Sequence, residues 1–221
     1  MTDAALRRIA GTSIITAAVI AAAMTAAEII TAPYNPQGTL VAWDGPVHLV
    51  KYLAILTLLV SLPAAFLVQR ASAGRLGFAG LALILFGLGA GGAPYNILEM
   101  TLDPSQPIPA LRATWDELTS SALLGAAGGL GLVAFLTGII AFGLASRRAG
   151  GTVRVAALVS LVALGVGFLR LVIIDALPGV IPHPTTWIML GLAAYGFAVL
   201  RFNKPGQSVV QPALSINPAG A

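Results

Sequence analysis

Long apolar runs constrain this chain more than any other feature of its sequence. A helix needs about 20 mostly apolar residues to cross the hydrocarbon core of a bilayer. Six runs satisfy this requirement, so we predict an all-α fold, a polytopic membrane bundle of six transmembrane helices over residues 1–202. The predicted spans are Ile9–Ala32, Val47–Val68, Leu76–Leu98, Ser121–Ala145, Val153–Ile174 and Pro184–Leu200.

The composition supports a membrane protein. Hydrophobic residues make up 57% of the chain and charged residues only 9%, whereas soluble domains carry about 25% charged residues. The absence of cysteine excludes disulfides and thiolate metal sites. The basic residues are too few and too scattered to follow a phosphate backbone, which excludes nucleic acid as a partner. Residues 203–221 are polar and contain proline, and we interpret them as a flexible cytoplasmic tail.

Basic residues concentrate on alternate connections between the predicted spans. One side of the membrane receives nine of them and the other side three, together with every acid except Asp3. Because cytoplasmic connections are enriched in lysine and arginine, we predict a multi-pass cell-membrane protein with both termini in the cytoplasm. The cytoplasmic set is Arg7, Arg8, Arg70, Arg75, Arg147, Arg148, Arg154, Arg201 and Lys204, and the outward set is Lys51, Arg112 and Arg170.

The first span allows a second interpretation. Arg7 and Arg8, followed by an alanine-rich run, also resemble a signal peptide with a cleavage region just before Glu28. The apolar run is long for a signal peptide, and the alternation of charge downstream favours six spans over five.

Glycine and alanine are frequent inside the spans, for example in the run Gly125–Gly131. Small residues let membrane helices pack backbone to backbone. We therefore predict that Leu76–Leu98 and Ser121–Ala145 are interior, closely packed helices.

The tetrapeptide Ala-Pro-Tyr-Asn occurs twice, at 32–35 and 93–96, each time at the outer end of an odd-numbered span. A Trp-Asp pair follows each copy, at 43–44 and 115–116, and opens the next span. These matches favour three repeated helical hairpins. Because Pro, Tyr, Asn and Trp are also common at membrane interfaces, anchoring is the alternative explanation.

Polar and aromatic residues gather at the outer ends of the spans. A carboxyl group in apolar surroundings is costly to ionise and can donate a proton, so the candidate catalytic residues are Glu28, Glu99 and Asp175. The candidate substrate-binding residues are Tyr34, Trp43, Asp44, His48, Lys51, Tyr52, Tyr95, Asn96, Trp115, Asp116, Arg170 and Trp187.

Several of these polar residues also have structural interpretations. The helix face that carries Asp44 and His48 either lines a site or is a hydrated helix end with Asp44 as its N-cap. The segment Thr114–Glu117 matches a capping box ahead of the fourth span. Glu28 and Arg170 lie inside their spans, and we predict that they pair with each other, either within a pocket or as an ion pair that fixes helix packing.

The sequence contains no phosphate-binding loop, dinucleotide fingerprint or metal-ligand spacing. We therefore predict no cofactor and no metal site. His48 and His183 leave one alternative, a bis-histidine haem protein, although both lie at helix starts rather than at mid-bilayer depth.

In size, span number and outward carboxylates, the chain resembles the small integral-membrane terpene cyclases and is similar to uncharacterised six-span actinobacterial membrane proteins. The resemblance covers the layout of the six spans and matches no motif residue by residue. It implies an enzyme that starts cation chemistry on a prenyl chain with a membrane-embedded acid.

Three functions stay open at this point. The first is binding of a lipophilic substrate in an outward-facing pocket, as in an acid-initiated isoprenoid cyclase or isomerase, where aromatic rings stabilise a cation. The second is a small transporter or a subunit of a larger membrane complex, which the repeat and the glycine-rich helices favour. The third is the haem protein. Membrane lipids are expected partners in every case.

Overall fold

The computed structural model describes residues 2–31, 44–102, 109–149, 151–173 and 184–201, and these residues are almost entirely helical. The all-α prediction is confirmed over this part of the chain. Seven α-helices occur in it: α1 (Asp3–Thr31), α2 (Asp44–Gly87), α3 (Ala93–Leu102), α4 (Pro109–Thr119), α5 (Ala122–Ser146), α6 (Gly151–Ile173) and α7 (Pro184–Leu200).

Four helical segments are long and apolar enough to cross a membrane. They are Asp3–Ala27, Gly45–Leu67, Gln69–Leu102 and Ala122–Ser146, and two shorter apolar segments, Gly151–Gly167 and Thr185–Leu200, follow them. The chain is therefore a membrane protein by the length and composition of its helices. The predicted limits of the spans differ from those of the observed helices by up to six residues, and those of α7 coincide.

Helix α2 is two helices joined without a loop. Gly74 has φ 59° and ψ −156°, a left-handed conformation that glycine adopts without steric cost. Residues on either side of it pair in antiparallel order: the rings of Phe66 and Phe78 are 6.2 Å apart, and His48 contacts Asn96 far from the turn. Residues 44–73 and 75–102 therefore form a helical hairpin. We call it the α2–α3 hairpin.

The remaining long helices also pack in antiparallel pairs. The start of α1 lies against the end of α7, where Gly11 faces Leu200. The Ser160 hydroxyl of α6 donates a hydrogen bond to the carbonyl of Gly191 in α7 at 2.9 Å. Helix α5 packs on the second arm of the α2–α3 hairpin and on α6.

This alternation separates the charges that the structure describes into two ends. The arginine end holds one acid, Asp3, together with Arg7, Arg8, Arg70, Arg75, Arg147, Arg148, Arg154 and Arg201. The acidic end holds Lys51, Glu99, Asp116 and Glu117. Folding thus gathers each charge group at its own end of the bundle, although its members lie on separate connections in the sequence.

Glycines set the spacing between α5 and the second arm of the hairpin. A Cβ atom built on Gly138 would lie 2.7 Å from the backbone nitrogen of Ile84, and one built on Gly80 would lie 2.5 Å from that of Phe142. The backbones touch, so the predicted close packing of these two helices is confirmed. The prediction that they are interior is wrong for α5, which is the least buried of the four candidate spans.

Helix α4 was not predicted, and it changes two assignments. Trp115 and Asp116 lie inside α4 rather than at the start of the next span. The predicted capping box is wrong: the Thr114 hydroxyl bonds to the carbonyl of Ala110 within α4, and Ser121 caps α5 by accepting from the backbone N–H of Leu124 at 3.2 Å. The Trp115-Asp116 pair therefore belongs to a separate helix, and α5 begins at Ala122, one residue after the predicted start of the fourth span.

The two copies of Ala-Pro-Tyr-Asn cannot be compared over their full length. Residues 32–35 lie outside the described residues, and residues 93–96 form the first turn of α3, six residues before the end of the candidate span Gln69–Leu102. The three-hairpin repeat stays a prediction.

Candidate ligand cavity at the acidic end

A cavity of about 680 Å³ opens between the helices in the half of the bundle nearer the acidic end. Helices α1, α2, α3, α5 and α7 and the π-helical turn Leu88–Gly92 all contribute to its wall. Most of the wall is apolar. The lining residues are Ala21, Thr25, Lys51, Ile55, Gly87, Leu88, Gly91, Gly92, Tyr95, Asn96, Gly128, Gly131, Leu132, Phe135, Thr185, Ile188 and Met189.

Five glycines from two facing helices form one side of this cavity. A Cβ atom on Gly131 would meet the backbone of Gly91 at 2.8 Å, so the two helices still touch there. A Cβ atom on Gly128, one turn nearer the acidic end, would meet nothing within 4 Å. The helices therefore diverge beyond Gly131, and the missing side chains leave free volume. We call this side the glycine wall: Gly87, Gly91, Gly92, Gly128 and Gly131.

Apart from Thr25 of α1, whose hydroxyl donates to the carbonyl of Ala21, the polar side chains of the lining lie at the rim of the cavity nearest the acidic end. Lys51 comes from the second turn of α2, Thr185 from the first turn of α7, and Tyr95 and Asn96 from the first turn of α3. The Tyr95 ring meets the edge of Trp115 from α4 at a centroid distance of 6.2 Å. This arrangement gives the cavity an apolar body and a polar end.

A buried hydrogen-bonded group, the His48 cluster, adjoins the rim. It consists of His48, Asn96 and Glu99. The Nδ1 atom of His48 lies 2.6 Å from Oε2 of Glu99 and 3.1 Å from Oδ1 of Asn96. His48 is only 4% exposed, so this contact is shielded from bulk water.

The neighbours of His48 select one tautomer of its ring. Asn96 donates from Nδ2 to the carbonyl of Gly92 at 2.7 Å, which leaves its Oδ1 as an acceptor towards His48. The Glu99 carboxylate is also an acceptor. Because Nδ1 faces two acceptors, it carries the hydrogen of the neutral ring.

The π-helical turn Leu88–Gly92 positions the side-chain amide of Asn96. The backbone N–H of Ala93 bonds to the carbonyl of Leu88, five residues earlier. Such turns insert one extra residue into an α-helix and often mark functional sites. Here the turn supplies the Gly92 carbonyl that holds Asn96, and it is built from the Gly-rich segment that also forms the glycine wall.

The structure brings five of the predicted site residues together. Lys51, Tyr95 and Asn96 line the cavity, and His48 and Glu99 bind to Asn96 or to each other beside it.

Four other predicted residues lie in the described part of the chain but do not line the cavity. Trp115 reaches it only through Tyr95. Tyr52 packs against the apolar core, Asp116 is exposed on α4, and Trp187 neighbours lining residues of α7 without lining the cavity itself.

The other predictions fall outside what the structure describes. Tyr34, Trp43, Asp175 and His183 belong to segments that it does not cover, and for Glu28, Asp44 and Arg170 it covers the helix position but not the side chain. The predicted pairing of Glu28 with Arg170 and the N-cap role of Asp44 stay predictions.

The glycine wall was missed as a functional feature. The runs 87–92 and 125–131 were visible in the sequence, but we interpreted them as packing surfaces. Gly125, Gly128 and Gly129 meet nothing within 4 Å, so that interpretation is wrong for three of the four glycines in the second run. The sequence signal for the glycine wall is the presence of two glycine-rich segments at matching depth in neighbouring spans.

The arginine end of the bundle is closed by a polar contact among three helices, the Gln69 cluster. The Gln69 side chain donates from Nε2 to the Tyr195 hydroxyl at 2.7 Å and to the Ser146 hydroxyl at 3.4 Å. All three residues are buried. The space beside Tyr195 and Ser146 amounts to only about 20 Å³, enough for a single water molecule.

Among the described residues, no group of three or more histidine, cysteine and acidic side chains is arranged to hold a metal ion. The haem alternative needs His183, which lies outside that part of the chain. No protein-family model matches the chain, and no curated protein or solved structure matches it.

Proposed function

We propose that this protein crosses the cell membrane six times, with both termini in the cytoplasm, and binds a lipophilic molecule in the cavity at its acidic end. The observation that carries the proposal is the cavity of about 680 Å³ with its glycine wall. Small-molecule sites are commonly mostly apolar clefts of about 300–1,000 Å³ with a few placed polar groups. The cavity has that size and that division between an apolar body and a polar rim.

The topology rests on the separation of charge between the two ends. Helices alternate in direction, and the arginine end gathers eight of the basic residues that the structure describes. By the positive-inside rule this end faces the cytoplasm, so the cavity lies in the outward half. A through-path is less well supported, because the Gln69 cluster fills the arginine end.

The orientation is tested with single cysteines, since the chain has none of its own. Cysteines placed at Ser105 and Ser208 are treated with a membrane-impermeant reagent in intact cells. We expect labelling at Ser105 and none at Ser208. The opposite pattern would reverse the orientation.

Binding is tested by filling the cavity without disturbing the fold. Gly128→Leu projects a side chain from the glycine wall into space where nothing lies within 4 Å. Gly129→Leu is the matched control, since Gly129 is also uncrowded but is exposed and does not line the cavity. Both substitutions raise helix propensity by a similar amount, roughly 0.8 kcal/mol.

The readout is the set of lipophilic molecules that copurify, measured by mass spectrometry of organic extracts. We expect a molecule present at near-stoichiometric amount in wild type and Gly129→Leu, and reduced at least tenfold in Gly128→Leu. Equal amounts in all three proteins, or no bound molecule in any of them, would contradict the proposal.

One observation favours an enzyme as the second candidate. His48 and Glu99 form a carboxylate–imidazole pair at 2.6 Å beside the cavity rim, an arrangement that can orient a ring for proton transfer. In an acid-initiated cyclase or isomerase, Glu99→Gln would abolish turnover while the bound molecule remains. An unchanged turnover would remove Glu99 from the mechanism.

A further inference from the structure

We propose that the arginine end of the bundle binds the phosphate groups of anionic phospholipids through one surface, which we call the arginine platform. Its five members are exposed arginines presented by two tight turns that lie side by side. This surface is separate from the ligand cavity, which opens in the opposite half of the bundle, and its role goes beyond the proposed function. The platform consists of Arg70, Arg75, Arg147, Arg148 and Arg154.

Two tight turns present these arginines, and each contains a glycine in the left-handed region. Gly74 has φ 59° and joins the arms of the α2–α3 hairpin, whereas Gly151 has φ 51° and begins α6 just after the 3-10 turn Arg147–Ala149. Glycine adopts this conformation without steric cost, so the chain reverses its direction within a few residues. Arginines before and after each glycine therefore stay at the same end of the bundle.

Contacts between the helices place the two turns next to each other. Gln69 donates to the Ser146 hydroxyl at 3.4 Å, and each of these two residues is followed directly by an arginine of the platform. Deeper in the bundle, a Cβ atom on Gly77 would lie 3.4 Å from that of Ala145, which is ordinary van der Waals contact. The arginines of both turns thus belong to one continuous surface rather than to two separate ones.

The protein offers these arginines little negative charge of its own. Among the described residues, eight arginines and one acid, Asp3, occupy this end, an excess of seven positive charges. The other seven of the eight acids in the chain occupy helix positions at the acidic end or follow a helix end there within two residues in the sequence. They are Glu28, Asp44, Glu99, Asp116 and Glu117, with Asp103 after Leu102 and Asp175 after Ile173. Counter-charges for the platform therefore have to come from outside the bundle.

Each arginine of the platform lies above an exposed apolar side chain on its own helix. Residues three or four apart share a helix face. At that spacing towards the bundle centre, the platform arginines have four large apolar neighbours, each at least 41% exposed. These are Leu67 before Arg70, Phe78 after Arg75, Leu144 before Arg147 and Arg148, and Leu158 after Arg154. An arginine at the edge with an apolar side chain one turn deeper matches a phospholipid, whose phosphate lies above its acyl chain.

The other arginines at this end lack this arrangement. Three or four residues after Arg7 and Arg8, positions 10–12 hold only alanine, glycine and threonine. The Arg201 guanidinium lies over the ring of Phe197 at 5.2 Å, so its apolar neighbour is already covered by the same side chain. Helices α1 and α7 therefore add positive charge to this end without adding a second surface of the same kind.

Arginine also suits a phosphate better than lysine does. Its planar guanidinium can donate two parallel hydrogen bonds to one phosphate, whereas a lysine ammonium acts as a point charge. All eight basic residues that the structure describes at this end are arginines. Clustered basic residues immediately beside membrane-spanning helices attract anionic lipids. The platform should therefore hold an anionic phospholipid in preference to a zwitterionic one.

The test compares two lipids that share the same dioleoyl chains and differ in head-group charge, phosphatidylglycerol and phosphatidylcholine. Each lipid is added to the purified protein in a neutral detergent, and native mass spectrometry gives the dissociation constant of the first bound lipid. We expect wild type to bind phosphatidylglycerol about fivefold more tightly at low ionic strength, and this preference should fall as salt screens the charges. Equal affinity for the two lipids would overturn the platform.

The position of the site is tested with two double variants that lose the same charge. Arg75→Gln with Arg147→Gln removes one arginine from each turn, whereas Arg7→Gln with Arg8→Gln removes two arginines from α1. We expect the first variant to lose the preference for phosphatidylglycerol and the second to keep it. An equal preference in both variants would show that lipids respond only to the net charge of the protein, and the platform would be wrong.

A charge-preserving pair keeps the test valid if the glutamine variant fails to insert or fold. Arg75→Lys with Arg147→Lys retains the positive charges that orient the helices but removes the planar donors. We expect the preference for phosphatidylglycerol to fall roughly twofold, since the bidentate contacts are lost. An unchanged preference in this variant would overturn the platform as a phosphate site.

Gly128→Leu separates the platform from the cavity. This substitution alters the opposite half of the bundle, so the preference for phosphatidylglycerol should be that of wild type. A loss of the preference in Gly128→Leu would assign the anionic lipid to the cavity and overturn the platform. If the preference persists while Gly128→Leu leaves the copurifying lipophilic molecules in place, the platform stands and the cavity proposal fails.

Discussion

The two ends of helix α5 place the same residue type in opposite environments. Near the arginine end, Gly138 brings α5 into backbone contact with Gly80 and Ile84 of the hairpin. Near the acidic end, Gly128 borders the open cavity and meets nothing within 4 Å. The structural effect of a glycine in a membrane helix therefore depends on its neighbours. It permits close packing where two helices converge, and it leaves free volume where they diverge.

The polar clusters of the two halves reinforce this difference. At the arginine end, the Gln69 cluster connects α2, α5 and α7 and leaves room for one water molecule at most. At the acidic end, the described contacts of the His48 cluster join the two arms of the α2–α3 hairpin. Helices α5 and α7 are thus tied to the hairpin at one end of the bundle, and at the other they border the cavity.

The largest expected effect is on the packed half. Gly138→Leu should lower the free energy of unfolding by about 3 kcal/mol, because its Cβ atom alone would overlap the backbone of Ile84 and overpacked sites cannot relax fully. Thermal unfolding in detergent measures the change. Gly128→Leu and Gly129→Leu carry the same substitution on the same helix and should be no less stable than wild type, because both positions are uncrowded and leucine has the higher helix propensity. If all three variants melt alike, the contrast between the two ends of α5 is wrong.

A smaller effect is expected from the Gln69 cluster. Tyr195→Phe removes the hydroxyl that accepts the hydrogen bond from Gln69 and leaves a buried amide hydrogen without its partner. The cost should be about 1–2 kcal/mol.

Tyr52→Phe serves as the control, since the structure shows no hydrogen bond to the Tyr52 hydroxyl within the residues it describes. It should change stability by less than about 0.5 kcal/mol. Equal losses in both variants would show that the Gln69 contact contributes nothing specific to the closed half.

The smallest effect concerns the His48 cluster and is spectroscopic. In protein labelled with ¹⁵N-histidine, the neutral ring of His48 should carry its proton on Nδ1, because Asn96 and Glu99 both offer acceptors to that atom. The chain has only two histidines, so His48→Gln assigns the signal. A neutral ring protonated on Nε2 would contradict the arrangement of this cluster.

Much of the fold could be predicted because bilayer thickness and helix geometry leave few alternatives. The limits of α7 coincide with the predicted sixth span, and the charge groups meet at two ends as the alternation of loops requires. Helix α4 escaped prediction since it is short, polar on most of its surface and too small to span a membrane. Its Trp115-Asp116 pair looked like the beginning of the next helix.

The candidate site could be predicted only in part. His48, Lys51, Asn96 and Glu99 stood out because charged or amide side chains at the ends of apolar runs need polar surroundings. The sequence does not show whether a glycine meets another helix or an empty space, because that depends on the angle between two helices. Gln69 was missed for a related reason: next to Arg70 it resembles a loop residue, and α2 buries it by continuing as far as Gly74.

The turn at Gly74 has a mechanical consequence. The two arms of the α2–α3 hairpin are joined by one left-handed residue, so neither arm has slack with which to slide along the other. Lys51 on one arm and Asn96 on the other thus keep the same relative position along the bundle axis even when the other helices move. A conformational change that admits or releases a ligand therefore has to come from α1, α5 or α7 moving against the hairpin, which stays fixed.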